Sequence, residues 1–214
     1  MKLLNITAGY QKKPVIKHFT FNINPGDWIF LTGPSGSGKS TFLQILFGNL
    51  PPLHGSVIDD TLRDIYQLSP SHLRAYRRTC GMIFQDHKLI EYKTVAENIA
   101  YAMEMCSYGT TLIKKRVPEL LHYVGLTHKK DSFPKQLSGG EAQRVAIARA
   151  LIHSPKMILA DEPTGNLDYA NTVKIIELLK TIHAQGTTII FATHDLALIK
   201  LVSGAKVLDI KALG

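Results

Sequence analysis

The sequence predicts an α/β protein built on a mostly parallel β-sheet. Short apolar segments alternate with segments of helical period from residue 28 onward, and this alternation is typical of parallel strands joined by crossover helices. Two of the apolar segments also end in a glycine-rich loop or in acidic residues. Those are the residue types expected at the edge where α/β sheets bind ligands.

The strands can be assigned in order along the chain. Short strands are predicted at Leu3–Ala8 and Phe19–Ile23, and the turn Pro25–Asp27 leads into the core. Core strands are predicted at residues 28–32, 81–84, 156–161, 187–192 and 206–210.

The segment from Glu91 to Ser132 differs from the rest of the chain. Its apolar residues have helical period over Val95–Met103 and Val117–Val124, and no convincing strand lies there. We therefore predict a helical insertion into the α/β core, in which Met103 and Met105 fill the interior.

Composition narrows the class of protein. The chain has 214 residues, 45% of them hydrophobic, and two cysteines, Cys80 and Cys106. No apolar run is long enough to span a bilayer and the N-terminus does not resemble a signal peptide, so we expect a cytoplasmic protein. The net charge is +8, but the basic runs near Arg77 and Lys115 lack interleaved aromatic residues. They indicate solvated helix faces, and no nucleic-acid partner is expected.

Residues Gly33 to Thr41 predict a phosphate-binding loop. The run fits G-x-x-x-x-G-K-[ST] and lies between a predicted strand and a predicted helix that Gly48 closes. The candidate nucleotide ligands are Gly33, Pro34, Ser35, Gly36, Ser37, Gly38, Lys39, Ser40 and Thr41. Backbone N–H groups and the helix N-terminus attract phosphate, Lys39 would reach the β- and γ-phosphates, and Ser40 would bind Mg²⁺. The alternative, a glycine-rich turn with a chance lysine, is disfavoured by this strand–loop–helix setting.

A second candidate site ends the strand predicted at 156–161. Asp161 and Glu162 stand there, where parallel sheets bind ligands. We expect Asp161 to bind Mg²⁺, directly or through water, and Glu162 to orient the attacking water or accept its proton. The alternative, a charged exit from a strand, is disfavoured by the phosphate loop upstream.

A serine and two glycines precede the helix predicted over Ala142–Ile152. The candidate phosphate ligands there are Ser138, Gly139, Gly140 and Glu141, because such a helix start is a second anion-binding N-terminus. One compact domain has little need of two such ends for one nucleotide. We therefore expect two chains packed head to tail, with each ATP between the loop of one subunit and the serine–glycine turn of the other.

Six motifs in this order resemble those of ATP-binding cassette (ABC) ATPases over nearly the whole chain. They are the phosphate loop, Gln85, Leu137–Glu141, Asp161–Glu162, Gly165–Asp168 and His194. The resemblance implies a P-loop NTPase fold of ABC type, with an N-terminal antiparallel β region and a helical subdomain. It implies a single ABC ATPase domain over 1–214, in which 1–90 and 133–214 form the core and about 91–132 the helical subdomain.

The resemblance also implies roles for single residues. Gln85 is similar to the glutamine that touches Mg²⁺ or the water and senses the membrane partner, and His194 to the histidine that contacts the γ-phosphate. Tyr10 is similar to the aromatic residue that stacks on adenine, although a strand-end tyrosine is also a common core residue. Asp168 resembles the acid that joins the two subunits. The implied catalytic set is Glu162, His194, Gln85 and Lys39, and the implied metal set is Ser40, Gln85 and Asp161.

Three details narrow the resemblance to a bacterial group of lipoprotein-release, MacB-type and FtsE-type ATPases. The segment 160–168 has the form of that group. Within it, Asp86 directly after Gln85, and Phe133-Pro134 before the signature turn Ser138–Glu141, are most similar to FtsE-type chains. The short segment after His194 predicts no regulatory C-terminal domain. Ala142 departs from the glutamine that is usual at its position.

The subgroup implies a function. The chain would be a peripheral ATPase on the inner face of the cell membrane, closed into a homodimer by ATP and reopened by hydrolysis. Its partner would be an integral membrane protein: an FtsX-like protein in a cell-division complex that controls cell-wall hydrolases, or the permease of a LolD-like lipoprotein-release or MacB-like transporter.

The sequence disfavours two other classes of protein. A soluble cassette ATPase acting on nucleic acid or ribosomes is disfavoured, because the chain has one cassette, two cysteines and no heptad insertion. A binding-only cassette is disfavoured because Lys39, Asp161, Glu162 and His194 are all present.

Overall fold

The structure, a computed structural model, describes residues 1–10 and 13–210. The strands are β1 (Lys2–Tyr10), β2 (Lys13–Asn22), β3 (Trp28–Thr32), β4 (His54–Ile58), β5 (Cys80–Ile83), β6 (Met157–Asp161), β7 (Thr188–Thr193) and β8 (Lys206–Asp209). The α-helices are α1 (Lys39–Leu46), α2 (Pro70–Arg78), α3 (Val95–Glu104), α4 (Thr110–Tyr123), α5 (Gly139–Leu151) and α6 (Tyr169–His183). Short 3₁₀ helices lie at Ile65–Gln67, Thr127–Lys129, Pro134–Gln136 and Leu196–Leu201.

A five-stranded sheet in the order β5-β6-β7-β3-β8 forms the centre of the molecule, and its neighbouring strands are parallel. The five predicted core strands are confirmed to within one residue at each end. Because the strands are parallel, their carboxyl ends meet at one edge of the sheet. The predicted α/β class with a mostly parallel sheet is therefore confirmed.

Both faces of this sheet are covered, which explains why its strands are continuous apolar runs. Trp28 and Phe30 face a core that α3, α4, α5 and α6 complete. Ile29 and Leu31 face a second core formed with α1 and the antiparallel sheet. Alternate side chains of β3 thus contribute to the two hydrophobic cores on opposite faces of the sheet.

A three-stranded antiparallel sheet in the order β2-β1-β4 lies on the second core. The predicted antiparallel region is confirmed, since β1 pairs with both neighbours and buries Leu3, Ile6 and Ala8. Strand β4 was not predicted, because Val57 is its only fully buried residue and Gly55 sits at φ 90°.

The segment 91–132 is helical, as predicted. α3 and α4 pack on α5, and no strand lies between residues 84 and 156, all of which the structure describes. Met103 is buried, but the expectation for Met105 was wrong: its exposed fraction is 67%. The reason is that α3 ends at Glu104, so Met105 no longer follows the apolar face of the helix. Among the residues that the structure describes, no helix has the length and apolarity needed to cross a membrane.

Candidate active site

The phosphate loop connects β3 to α1 at the carboxyl edge of the central sheet. Gly33 (φ 142°) and Gly38 (φ 104°) both have positive φ. A Cβ atom at Gly33 would lie 2.6 Å from Ser37 Oγ, and one at Gly38 would lie 2.7 Å from Val15 Cγ1. The loop therefore needs glycine at both positions, for backbone conformation and for space. The Oγ atom of Ser37 is buried and bonds no other described residue, so it is a spare donor that fits a phosphate oxygen.

Lys39, the first residue of α1, fills the middle of this loop. Its side chain is only 5% exposed, and Nζ donates to Gly33 O at 2.9 Å and to Pro34 O at 3.1 Å. Nζ also lies 3.2 Å from Glu162 Oε1. A buried cation beside a helix N-terminus favours an anionic ligand, so these residues fit the phosphates of a nucleotide.

Asp161 ends β6 beside this loop. Burial raises the pKa of its carboxyl group, a hydrogen bond with Ser40 lowers it, and the neighbouring charges of Glu162 and Lys39 act in opposite directions. A carboxylate bonded to a hydroxyl group is an oxygen pair of the kind that Mg²⁺ uses next to phosphates. Ser40 and Asp161 thus fit a magnesium ion.

Glu162 links three parts of the site. Its backbone is left-handed (φ 44°), and its N–H donates to Ala192 O at 3.0 Å. Its Oε2 lies 2.9 Å from Nδ1 of His194, while Oε1 faces Lys39. A non-glycine residue with positive φ is strained and persists only where its surroundings hold it. The carboxylate is therefore held between a buried lysine and a histidine that is 61% exposed.

A cleft of about 240 Å³ opens beside Glu162 and His194. It is also lined by Leu167, which belongs to the predicted motif Gly165–Asp168, and by Thr164 and Asp195, which were not candidates for the site from sequence. They follow the ends of β6 and β7, so the position of those strand ends was the signal that could have found them.

Gln85 and Tyr10 lie at the edges of this region. Gln85 is exposed two residues beyond β5, which pairs in parallel with β6, so it shares the carboxyl edge with Asp161. Tyr10 ends β1 and is 54% exposed. The neighbouring strand β2 reaches the phosphate loop through Val15. Tyr10 is thus on the hairpin beside the loop, and is not a buried core residue.

The serine–glycine turn begins α5 with a capping box. Ser138 Oγ accepts from the N–H of Glu141 at 3.3 Å, and the Glu141 carboxylate accepts from the N–H of Ser138 at 2.8 Å. The bond from the Ser138 N–H is the main reason that the pKa of Glu141 is lowered. The helix begins at Gly139, three residues before the predicted start at Ala142, because Ser138 caps it and both glycines lie in its first turn.

Asp168 lies on the same face as this turn. It caps α6 by accepting from the N–H of Asn171 at 2.8 Å, a bond that chiefly lowers the pKa of Asp168. A Cβ atom at Gly140 would lie 2.8 Å from Asn171 Oδ1, so α5 and α6 approach closely here. In the described part of the chain, no hydrogen bond or ion pair joins Ser138–Glu141 to the phosphate loop.

Sequence reasoning missed Arg149 of α5. Its guanidinium donates to the carbonyl oxygens of His87 and Lys88, which follow Gln85. No motif marks this arginine, because its partners are backbone atoms distant in sequence.

Comparisons with known proteins agree with this geometry. The family model described as "ABC transporter" matches residues 16–165. The cell division ATP-binding protein FtsE of Streptococcus pneumoniae is 46% identical over 180 residues, covering 84% of this chain and 78% of the relative. FtsE of Mycobacterium tuberculosis is 42% identical over 193 residues, covering 89% and 84% of the two chains.

Two solved structures have the same fold. The dimeric post-hydrolysis state of the ATP-binding cassette MJ0796, bound to ADP and Pi, has a TM-score of 0.86 at 34% identity, covering 97% of this chain and 93% of that one. The structure of cbiO1 from Clostridium perfringens, part of the ABC transporter complex cbiONQ, has a TM-score of 0.84 at 32% identity, covering 94% and 80%. The predicted ATP-binding cassette fold and ATPase activity are confirmed: the chain belongs to the ABC transporter family, is an ATPase of that family, and is similar to FtsE.

Proposed function

We propose that this chain is the ATP-hydrolysing subunit of an FtsE-type cell-division complex, working as a homodimer on a small integral membrane protein of FtsX type. The FtsE relatives, at 42–46% identity over most of the chain, support the subgroup. The neighbouring cassette that was solved as a dimer with ADP and Pi supports the dimer. In this proposal the chain is cytoplasmic and reaches the membrane only through its partner.

One observation carries the chemistry: the Glu162 carboxylate lies between Lys39 Nζ (3.2 Å) and His194 Nδ1 (2.9 Å). In that position Glu162 orients the attacking water and accepts its proton. Lys39 stabilises charge on the phosphates, and His194 contacts the γ-phosphate.

The other site residues bind the nucleotide and the metal. Ser40, Asp161 and Gln85 hold Mg²⁺, which when bound neutralises charge on the phosphate oxygens. Gln85 also transmits the state of the membrane partner, and Tyr10 stacks on adenine. Ser138, Gly139 and Gly140 of a second copy close over the γ-phosphate, Glu141 caps that turn, and Asp168 joins the two copies.

The substitution Glu162→Gln tests the chemistry. It keeps the shape of the side chain but removes the proton acceptor, so we expect turnover to fall by about 10³-fold. ATP binding should persist, and the dimer should accumulate. Glu177→Gln is the matched control, because the Glu177 carboxylate pairs with Lys180 at the surface and the substitution should leave turnover unchanged. Undiminished steady-state hydrolysis by Glu162→Gln would contradict the role of Glu162.

The partner is tested with the same trapped variant. Tagged Glu162→Gln protein is captured with ATP from solubilised membranes of its own cell, and mass spectrometry identifies what accompanies it. A small membrane protein with an extracytoplasmic domain is the expected result. Relatives of that protein distinguish a cell-division partner from a lipoprotein-release or MacB-type permease. Recovery of only nucleic acid or ribosomal proteins would overturn the membrane role.

A further inference from the structure

The turn that follows Gln85 has an unusual backbone. His87 and Lys88 have φ values of 59° and 51°, so two consecutive non-glycine residues are left-handed. Residues with a side chain adopt this region rarely and usually singly. Two in sequence therefore indicate that the surrounding structure holds this turn in place.

Arg149 adds a restraint from α5 to the bonds within the turn, in which the N–H groups of His87 and Lys88 donate to Phe84 O and Asp86 O. Its Nη1 atom donates to Lys88 O at 2.6 Å and its Nη2 atom donates to His87 O at 2.5 Å. One planar guanidinium thus bonds both carbonyl oxygens of the strained turn. Two parallel charge-assisted bonds are stronger and more directional than those of an ammonium group. Burial lowers the pKa of Arg149, so the side chain meets the turn in a partly desolvated place.

Gln143 makes a second contact between α5 and this turn. Its side chain is completely buried and faces His87. Burial is the main reason that the pKa of His87 is lowered, and the contact with Gln143 partly opposes this effect. Neither Nε2 nor Oε1 of Gln143 makes a well-aligned hydrogen bond to a described residue. Arg149 therefore makes the well-aligned hydrogen bonds between the turn and α5.

We propose that Arg149 is a positioning residue for Gln85. By holding the left-handed turn at His87 and Lys88, it fixes the direction in which the chain leaves β5 and places Gln85. Arg149 lies on the same helix that Ser138 begins, so the position of Gln85 is tied to the helix carrying the serine–glycine turn. This inference rests on the role proposed for Gln85.

A double-mutant cycle tests the inference. Arg149→Ala should lower kcat by about tenfold while the affinity of the monomer for a fluorescent ATP analogue changes by less than about twofold. Gln85→Ala should lower kcat as well. Residues that act as one unit give non-additive losses, so the double variant should be no slower than Gln85→Ala alone. Arg116→Ala, which removes an arginine of α4 bonded to Ser154, should leave kcat and affinity unchanged.

A rescue experiment separates positioning from folding. Glycine adopts the left-handed region without strain, and the Lys88 side chain is 61% exposed. The double variant Arg149→Ala/Lys88→Gly should therefore have a kcat about threefold or more above that of Arg149→Ala alone. If Arg149→Ala fails to fold, Arg149→Lys replaces it, since an ammonium group cannot match the planar fork.

The outcomes are distinguishable. Unchanged turnover in Gln85→Ala would overturn the role proposed for Gln85, and the Arg149 inference with it. A loss in Gln85→Ala with no loss in Arg149→Ala would overturn the Arg149 inference alone. So would additive losses in the double variant, or a failure of Lys88→Gly to restore turnover.

Discussion

The two helix starts that we propose bind phosphate, at Lys39 and at Ser138, are built in opposite ways. Around Lys39, charged groups are withdrawn from water: Lys39 is 5% exposed and Glu162 15%. Around Ser138 the first two residues, Ser138 and Gly139, are exposed, and the side chains of Ser138 and Glu141 bond backbone N–H groups of the same turn. The pKa values differ accordingly, since burial raises that of Asp161 while hydrogen bonds lower those of Glu141 and Asp168.

We infer from this difference that the site around Lys39 is the one that would bind nucleotide in a single chain. A buried lysine, a spare Ser37 hydroxyl and a curled glycine loop can bind phosphates in a single chain. In the Ser138 turn the N–H groups of Ser138 and Glu141 already bond side chains of the turn itself, and an exposed helix start holds an anion weakly in water. It gains an interaction only when a second molecule excludes solvent from it. The difference between the two helix starts therefore favours a dimer that is held together by ATP bound between the two chains.

The largest effect is expected from Lys39→Met, which removes the buried cation of the phosphate loop. Removing the cation leaves the Glu162 carboxylate without its buried partner and the phosphates without their main charge. We expect turnover to fall by about 10³-fold and nucleotide affinity to weaken. Steady-state hydrolysis and fluorescent-nucleotide titration measure the two effects. Lys180→Met, which removes a lysine from a surface pair, should change neither, and equal behaviour of the two variants would contradict the comparison.

The next effect is on assembly. Ser138→Arg places a large cation on the exposed half, so we expect it to prevent ATP-dependent dimerisation by steric exclusion. Binding of ATP by the monomer should be unchanged, because the phosphate loop lies elsewhere. Gel filtration with ATP, in a Glu162→Gln background, measures the dimer. Thr94→Arg alters the matching cap of α3 and should dimerise normally; normal dimerisation of Ser138→Arg would refute the head-to-tail arrangement.

How far the sequence predicts this molecule depends on the kind of interaction. Lys39 and Asp161 could be located because strand ends and glycine spacing are local features of the chain. The helix at α2 was predicted only as a solvated basic face near Arg77, without bounds, because none of its residues is fully buried and its pattern of apolar residues is weak. Arg149 could not be found, because its function depends on the carbonyl groups of a turn that is about sixty residues earlier and on backbone angles that no side-chain pattern encodes.

A smaller effect concerns pH. Burial favours the protonated form of Asp161, so the folded chain binds this proton more tightly than the unfolded chain does. Stability is then lost as pH rises through the raised pKa of Asp161. Asp161→Asn removes that loss, and its Tm should exceed that of the wild type by roughly 1–3 °C near pH 7. The difference should vanish below about pH 4, while hydrolysis is lost throughout.

Thermal unfolding across pH measures this effect, and Asp168 provides the opposite case. Hydrogen bonds lower the pKa of Asp168, so its charge stabilises the fold at neutral pH and that stability is lost as pH falls. Asp168→Asn should therefore lower Tm near pH 7 and converge on the wild type in acid. A Tm difference of the same sign for both variants would contradict the electrostatic contrast between the two halves.

The smallest effect compares two capping boxes that are built alike. Thr94 with Glu97 begins α3, and Ser138 with Glu141 begins α5, each with both reciprocal bonds. Thr94→Ala and Ser138→Ala should each reduce the free energy of unfolding by about 1 kcal/mol, measured by urea denaturation. Only Ser138→Ala should also lower ATPase activity, by about fivefold, because in the proposed dimer its hydroxyl faces the nucleotide of the second chain. Equal activity losses would mean that Ser138 acts only as a helix cap, and the exposed half would then have no phosphate-binding role.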